Sequence, residues 1–592
     1  MSVDAHAPHV SFTPTLTERR YIPRICLAAI RRKLRRGEPP RPTDFSLSAS
    51  QPFSIYPPMD SSKFKIILIV ALAAIGALYL GIAAATAQFT AIAWVVGVLG
   101  LVFVLALGKN VWILIPITLP LVGTINAIPG SPYAWWGAMA VVFAIYVLRF
   151  AMRKTDNLQL RWNALDFAVL LQFAALAQAF LRNPTGLSIM GGDTAGGKPY
   201  IIYGFAMVAY AMLSLTNTTL KTLGWIVISM VLISIADSSL SIVSQLIPAV
   251  AFMVLPIYSG VDFTAAQTGG VVETSEARLT GARSLGENLG KASLTLFRPI
   301  DSLNPLKFLP FAMTGIALIA TLVSGYRSVF GLLLIYFVVG SIVRRRFVDV
   351  VIAGMFGFVG LVLLIGTGMT DKLPFGAQRI LSVVPFIAVD DKARYDAENS
   401  SDFRFEMWKL ALTTDRYIKN KWLGDGFNYS ADEMRAAADS AFGDRRRSAG
   451  MGVQDIHLAR GSYHGFHVQT IRFTGVFGLI CALVGMGIWF RYAGIQIKHF
   501  RGRPEWGYVI YIAMPFLIYP FYYMLVFGDY QHGFAPLIVG SGLLKMLDNI
   551  RVRELATARA AAPLPATTPA PRPAPGTRRP LTPVRTNGLA RP

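Results

Sequence analysis

The chain has 592 residues, 54% of them hydrophobic and only 15% charged, and its mean hydropathy is +0.49. That composition excludes an ordinary soluble domain and points to repeated apolar stretches, each able at ~20 residues to cross a bilayer as helix. Lys plus Arg outnumber Asp plus Glu by 56 to 33, a formal net charge of +23. The surplus gathers in the tails and short loops, which marks membrane sidedness rather than a nucleic-acid partner. Two cysteines, Cys26 and Cys481, give no disulfide framework and no cysteine metal site.

In chain order, residues 1–62 are polar, proline-dotted and basic, with "RRKLRRGEPPRP" at 31–42. They read as a disordered cytoplasmic arm able to touch anionic lipid, with no apolar core of the signal-peptide kind. Residues 63–257 carry apolar runs at about 66–86, 87–107, 111–128, 133–150, 163–181, 200–217 and 222–243. Residues 258–369 add runs at about 307–325, 328–343 and 348–369; 469–550 add 470–490, 506–527 and 532–548. The expected fold is an all-α polytopic membrane protein of about 12–14 transmembrane helices. Residues 370–468 form its one large loop, and 551–592 a basic Pro/Ala-rich disordered tail.

Basic connectors set the sidedness. "MRKTDNLQLRW" (152–162), "RRRF" (344–347) and "KHFRGRPEW" (498–506) are expected in the cytoplasm, as are both tails. The 370–468 loop then faces the periplasm of a bacterial inner membrane. Between Lys221 and Lys307 the number of crossings must be even. Either 222–257 is a tight hairpin, or 222–243 crosses once and 285–300 returns. The second route takes Glu287, Lys291 and Arg298 into lipid, so composition favours the hairpin.

The large loop is too long to be a mere connector. In "DFRFEMWKLALTTDRYIKNKWLGDGFNYS" helical spacing puts Arg404, Trp408 and Ala411 on one face, and Gly424 and Gly426 break the pattern. Arg327, between two apolar runs at the expected periplasmic edge, runs against the positive-inside tendency. It is either a snorkelling cap or the holder of a specific partner.

Three of the seven histidines, His457, His464 and His467, cluster where the loop enters the next apolar run. Three readings are open for them: a zinc site, a structural pair at the membrane interface, and a general base at a helix N-terminus, where the dipole disfavours imidazolium. Two arginines and a histidine on one side suit a reaction departing from a diphosphate. Guanidinium forks grip phosphate oxygens and offset the leaving charge, while a neutral imidazole accepts a hydroxyl proton.

Four pieces resemble the O-antigen ligase and polymerase superfamily: "RLTGARSLGENLGKASL" (278–294), "LVSGYRSVFGLLL", "RFEMWKLAL…WLGDGF" and "HGFHVQTIRFTGVFGL". The resemblance covers about 278–479 and is in the order and spacing of the motifs. It implies a glycosyltransferase of the inner membrane that moves a glycan from undecaprenyl diphosphate to a glycan or lipid A core acceptor, with no cofactor and no metal. Carried over by position, Arg327 and Arg404 bind the diphosphate and His464 is the base, with Arg278, Trp408 and His467 in support. Gly465 departs from the family, which usually has Asn there, and leaves His467 as a substitute. The resemblance also puts "RLTG" in the periplasm and so favours 285–300 as the returning helix. The opposing class is a transporter or flippase of lipid-linked sugars without chemistry, for which Asp237 is the main ionisable candidate.

Overall fold

The computed structural model describes most of 97–561 and scattered positions in 71–86. Residues 1–70, 87–96, 154–157, 186–195, 261–278, 429–457 and 562–592, with isolated positions elsewhere, lie outside the described set. The chain divides into Met1–Tyr79 and one compact unit from Leu80 onward. In the first unit, 74–76 and 78–79 are helical. Everything below concerns the second. The basic arm, most of the first two apolar runs and most of the tail fall on residues that are not described.

The main helices are α1 (Ala134–Ala151), α2 (Ala164–Arg182), α3 (Lys198–Leu215), α4 (Leu220–Leu246), α5 (Thr280–Leu296), α6 (Phe308–Ser324), α7 (Arg327–Val343), α8 (Phe347–Gly366), α9 (Phe375–Leu381), α10 (Asp391–Thr413), α11 (Phe466–His499), α12 (Trp506–Leu525) and α13 (Phe534–Ala561). Among the described residues there is no strand beyond isolated bridges. Among the described residues seven helices, α1 to α4, α8, α11 and α12, are long and apolar enough to cross a membrane, and α6 and α7 are shorter apolar helices. The class is therefore an all-α, polytopic membrane architecture, as hydropathy predicts.

Local chemistry sets the ends of these helices. Asn163 and Asp166 form a reciprocal capping box at the start of α2, which satisfies amides that would otherwise be orphaned. Gly325 ends α6 in the left-handed conformation, φ 70°, so that α7 can begin two residues later. The apolar run 111–128 differs from its expected single crossing. A 3-10 turn (Gly108–Ile113) and a short helix (Leu114–Thr118) stop before Pro120, whose ring cannot continue a helix and constrains the residue before it. Thr124 and Ile125 instead bridge to Tyr133 and Tyr258.

The 222–257 stretch is not a hairpin. It is the continuous α4 followed by the seven-residue helix Pro248–Val254, which at ~1.5 Å per residue is far too short to cross a bilayer. The charged segment is the helix α5, packed against α4, α6, α7 and α12. Small residues allow this: a Cβ at Gly286 would lie 3.0 Å from the Ala317 carbonyl of α6. Close backbone approach through small residues is the usual way helices pack in lipid.

At the end of α11 far from His467, the wholly buried Asp548 of α13 accepts from Arg161, Asn163, Gln496 and Arg551 at 2.7–3.0 Å. The equally buried Lys545 pairs with Asp166 at 2.5 Å. These contacts tie α2, α11 and α13 together, and a buried charge is tolerable only when so fully matched. α13 continues to Ala561, past the boundary expected at 551.

Candidate functional site

The second half of the large loop is anchored on a break in α11. At Gly475 the backbone takes φ 76°, ψ −178°, a conformation essentially confined to glycine. The break frees amides and carbonyls in mid-helix, and the segment 421–426 takes them up. Asp425 and Gly426 amides donate to the Arg472 and Phe473 carbonyls at 2.7 and 3.1 Å, and Val476 and Phe477 amides donate to the Lys421 and Trp422 carbonyls at 2.8 and 3.1 Å. Gly424 sits at φ +74°, and a Cβ there would lie 2.5 Å from the Thr474 and Gly475 nitrogens. The glycine break read from the sequence at Gly424 and Gly426 is thus one half of a joint whose other half is Gly475. Arg182 of α2 clamps it from outside, donating to the Leu423 and Gly424 carbonyls at 2.7 and 2.5 Å.

His464 lies two residues before the start of α11, half-buried, in the left-handed region at φ 52°. Few non-glycine residues sit there, and such strain has to be held by surrounding contacts. One such contact is aromatic: the imidazole stacks on Phe527 at 5.5 Å and 26°. Gly465 is buried beneath Trp408, where a Cβ would lie 2.7 Å from the indole. The Trp408 Nε1–H donates to the Tyr463 carbonyl at 2.7 Å. A side chain such as Asn has no room at 465 with Trp408 in this place. His467, the substitute weighed from sequence, is in the first turn of α11 and meets Trp408 edge-on at 4.8 Å. Its Nδ1 is buried without a hydrogen-bond partner among the described residues. The two imidazoles thus engage different aromatic partners.

The end of α12 gathers the rest. Arg404 donates to the Val526 carbonyl at 3.1 Å. Tyr522 donates to the Ser328 carbonyl at 3.4 Å, next to Arg327, which is half-buried as the first residue of α7. Arg283 of α5 lies over Tyr326 at 4.9 Å and over Phe527 at 5.7 Å. So Tyr522, Val526 and Phe527 join the motif turn at 326–328, the α10 arginine and the loop histidine. Arg278 and His457 lie outside the described residues, so the possible histidine trio is not described as a unit. Sequence reading passed over Arg283 and Phe527. The signal for the first was the i, i+4, i+8 spacing of Arg283, Glu287 and Lys291 on one face of α5; Phe527 had no local signal.

Asp237, the candidate for a transport site, accepts from Tyr258 at 2.6 Å, and Tyr258 in turn accepts from the Gly123 amide at 2.9 Å. That carboxylate is engaged in holding the 122–126 and 255–260 segments together. The fold and these residues define an all-α polytopic membrane protein with an aromatic and arginine-rich cluster at the end of its last long apolar helices. No protein-family model matches the chain, and comparison with curated proteins finds no match.

Proposed function

We propose that the chain is a membrane glycan ligase or polymerase of the O-antigen ligase type, transferring a glycan from undecaprenyl diphosphate to an acceptor hydroxyl. The observation that carries this reading is the convergence on Tyr522–Phe527 of Arg404, His464 and the turn bearing Arg327. These residues are separated by up to about 200 positions in the sequence, and chance packing rarely gathers two arginines' segments and a strained histidine at one helix end. In this reading α5, α6, α7 and α13, with the apolar runs at about 66–86 and 87–107, bring the seven long apolar helices to the expected count of about 12–14 crossings, and the loop from 370 to 468 faces the periplasm of a bacterial inner membrane.

In the reaction the acceptor hydroxyl oxygen bonds to the anomeric carbon of the donor sugar while the bond from that carbon to the phosphate oxygen breaks. The bonding pair leaves with the lipid diphosphate, whose growing charge Arg327 and Arg404 offset. His464 takes the hydroxyl proton, and a positioned base of this kind contributes typically 10²–10⁴-fold. The test uses purified chain, lipid-linked glycan and candidate acceptors. His464→Ala abolishes transfer while donor binding survives; Arg327→Lys and Arg404→Lys fail to restore what Ala removes, because a point charge loses the bidentate geometry. Full transfer by His464→Ala, or by both arginine-to-alanine variants, refutes the assignment.

A further inference from the structure

Arg283 differs from Arg344, Arg182 and Arg472 in what its guanidinium meets. Arg344 donates to the Thr295 carbonyl at 2.6 Å, Arg182 to the Leu423 and Gly424 carbonyls, and Arg472 to the Tyr417 carbonyl and to Asp425. Each of these guanidiniums donates to backbone carbonyls or a carboxylate of the fold. Arg283 meets only aromatic faces, Tyr326 and Phe527, and among the described residues its N–H groups reach no acceptor. The carboxylate nearest along its helix, Glu287 one turn on, accepts from Tyr519 instead, at 3.3 Å.

A guanidinium held over two ring faces keeps its five N–H donors unspent on acceptors, because a cation–π contact uses no hydrogen-bond acceptor. One of the two rings, Phe527, is the ring on which His464 stacks. The open fork and the imidazole are therefore held by a shared side chain. Bringing such a cation into a half-buried aromatic setting is unfavourable unless it meets an anion there, and planar forks match phosphate oxygens best.

We propose that Arg283 is a further substrate-binding residue of this site, its fork taking phosphate oxygens of a lipid-linked diphosphate beside His464. This rests on the proposed function and adds a residue to which the resemblance assigns no role. It makes the first turn of α5 one wall of the phosphate subsite, beside the turn that carries Arg327.

The experiment measures binding of undecaprenyl diphosphate and of undecaprenol to the full chain in nanodiscs, for wild type, Arg283→Met and Arg283→Lys. A lost charged hydrogen-bonding group predicts diphosphate affinity lower by about ten- to hundredfold in Arg283→Met. Arg283→Lys retains the cation over the rings and the folded chain but regains little of that affinity. Undecaprenol binding is unchanged in both. If wild type binds the diphosphate and Arg283→Met binds it equally well, this inference fails and the function stands. If affinity for undecaprenol falls as much as for the diphosphate, Arg283 is a packing residue and the inference is overturned. If wild type does not distinguish the diphosphate from undecaprenol, the proposed function itself fails.

Discussion

Gly465→Ala probes the joint between the loop helix and the histidine turn. The backbone at Gly465, φ −132° and ψ 117°, is open to any residue, so the substitution costs nothing in backbone conformation. Its cost is steric. The new methyl would lie 2.7 Å from the Trp408 indole, well inside van der Waals contact, and overpacking of this kind costs typically ~1–3 kcal/mol. Relief by moving the indole sacrifices the 2.7 Å bond from Trp408 to the Tyr463 carbonyl, worth about 1 kcal/mol. The expected loss is therefore roughly 2–3 kcal/mol. In a Trp408→Leu background the methyl meets space instead, and the same substitution should cost less than about 0.5 kcal/mol. Calorimetric unfolding of the four proteins in one detergent gives the cycle, and a coupling of about 2 kcal/mol is expected. If the single effects add to within about 0.5 kcal/mol, the indole does not govern position 465. The explanation of why glycine stands there is then wrong.

Two further outcomes concern the scaffold. Gly475→Ala forces a glycine-only conformation and drives a Cβ into the Trp422–Leu423 backbone; strain of ~1–3 kcal/mol should release the 421–426 segment, read as rapid protease cleavage there, and wild-type resistance would count against the joint. At the other end of α11, Glu554 accepts from Arg503 at 2.6 Å and contacts His499 at 3.0 Å. Its partial burial pushes the carboxyl upward, but the bonds from Arg503 and His499 outweigh that and hold it below the ordinary glutamate value. A lowered folded value means stability that is present above the unfolded value, about 4.3, and is lost as pH falls through the lower folded one. Glu554→Gln should thus lower the melting temperature slightly at pH 7, the pair being part-exposed and screened. That difference should fade below about pH 4; a difference that persists or grows in acid contradicts the pairing.

Hydropathy and helical period, which are local, made the helices legible: α1 to α4, α6 to α8 and α12 lie within a few residues of where their apolar runs predict, while α11 contains its run of 470–490 but continues nine residues further, because placing twenty apolar side chains in lipid or in a core leaves few alternatives to a helix. The same locality explains the misses. Composition favoured a hairpin over 222–257, since the charges of α5 looked costly in lipid; only the tertiary structure supplies Tyr519 for Glu287 and the aromatic faces for Arg283. Gly424 and Gly426 were visible as breakers, but the break at Gly475 lies inside the apolar run expected over 470–490, and the closing of these glycines on one another depends on backbone groups about fifty residues apart finding partners. Arg327, Arg404 and His464 could be picked out by residue type and position. Their meeting point at Tyr522–Phe527, and the presence there of Arg283, were decided by packing alone. No periodicity within α5 or α12 records which helix end will stand beside which, because that choice is made by contacts spanning up to about 240 positions of chain.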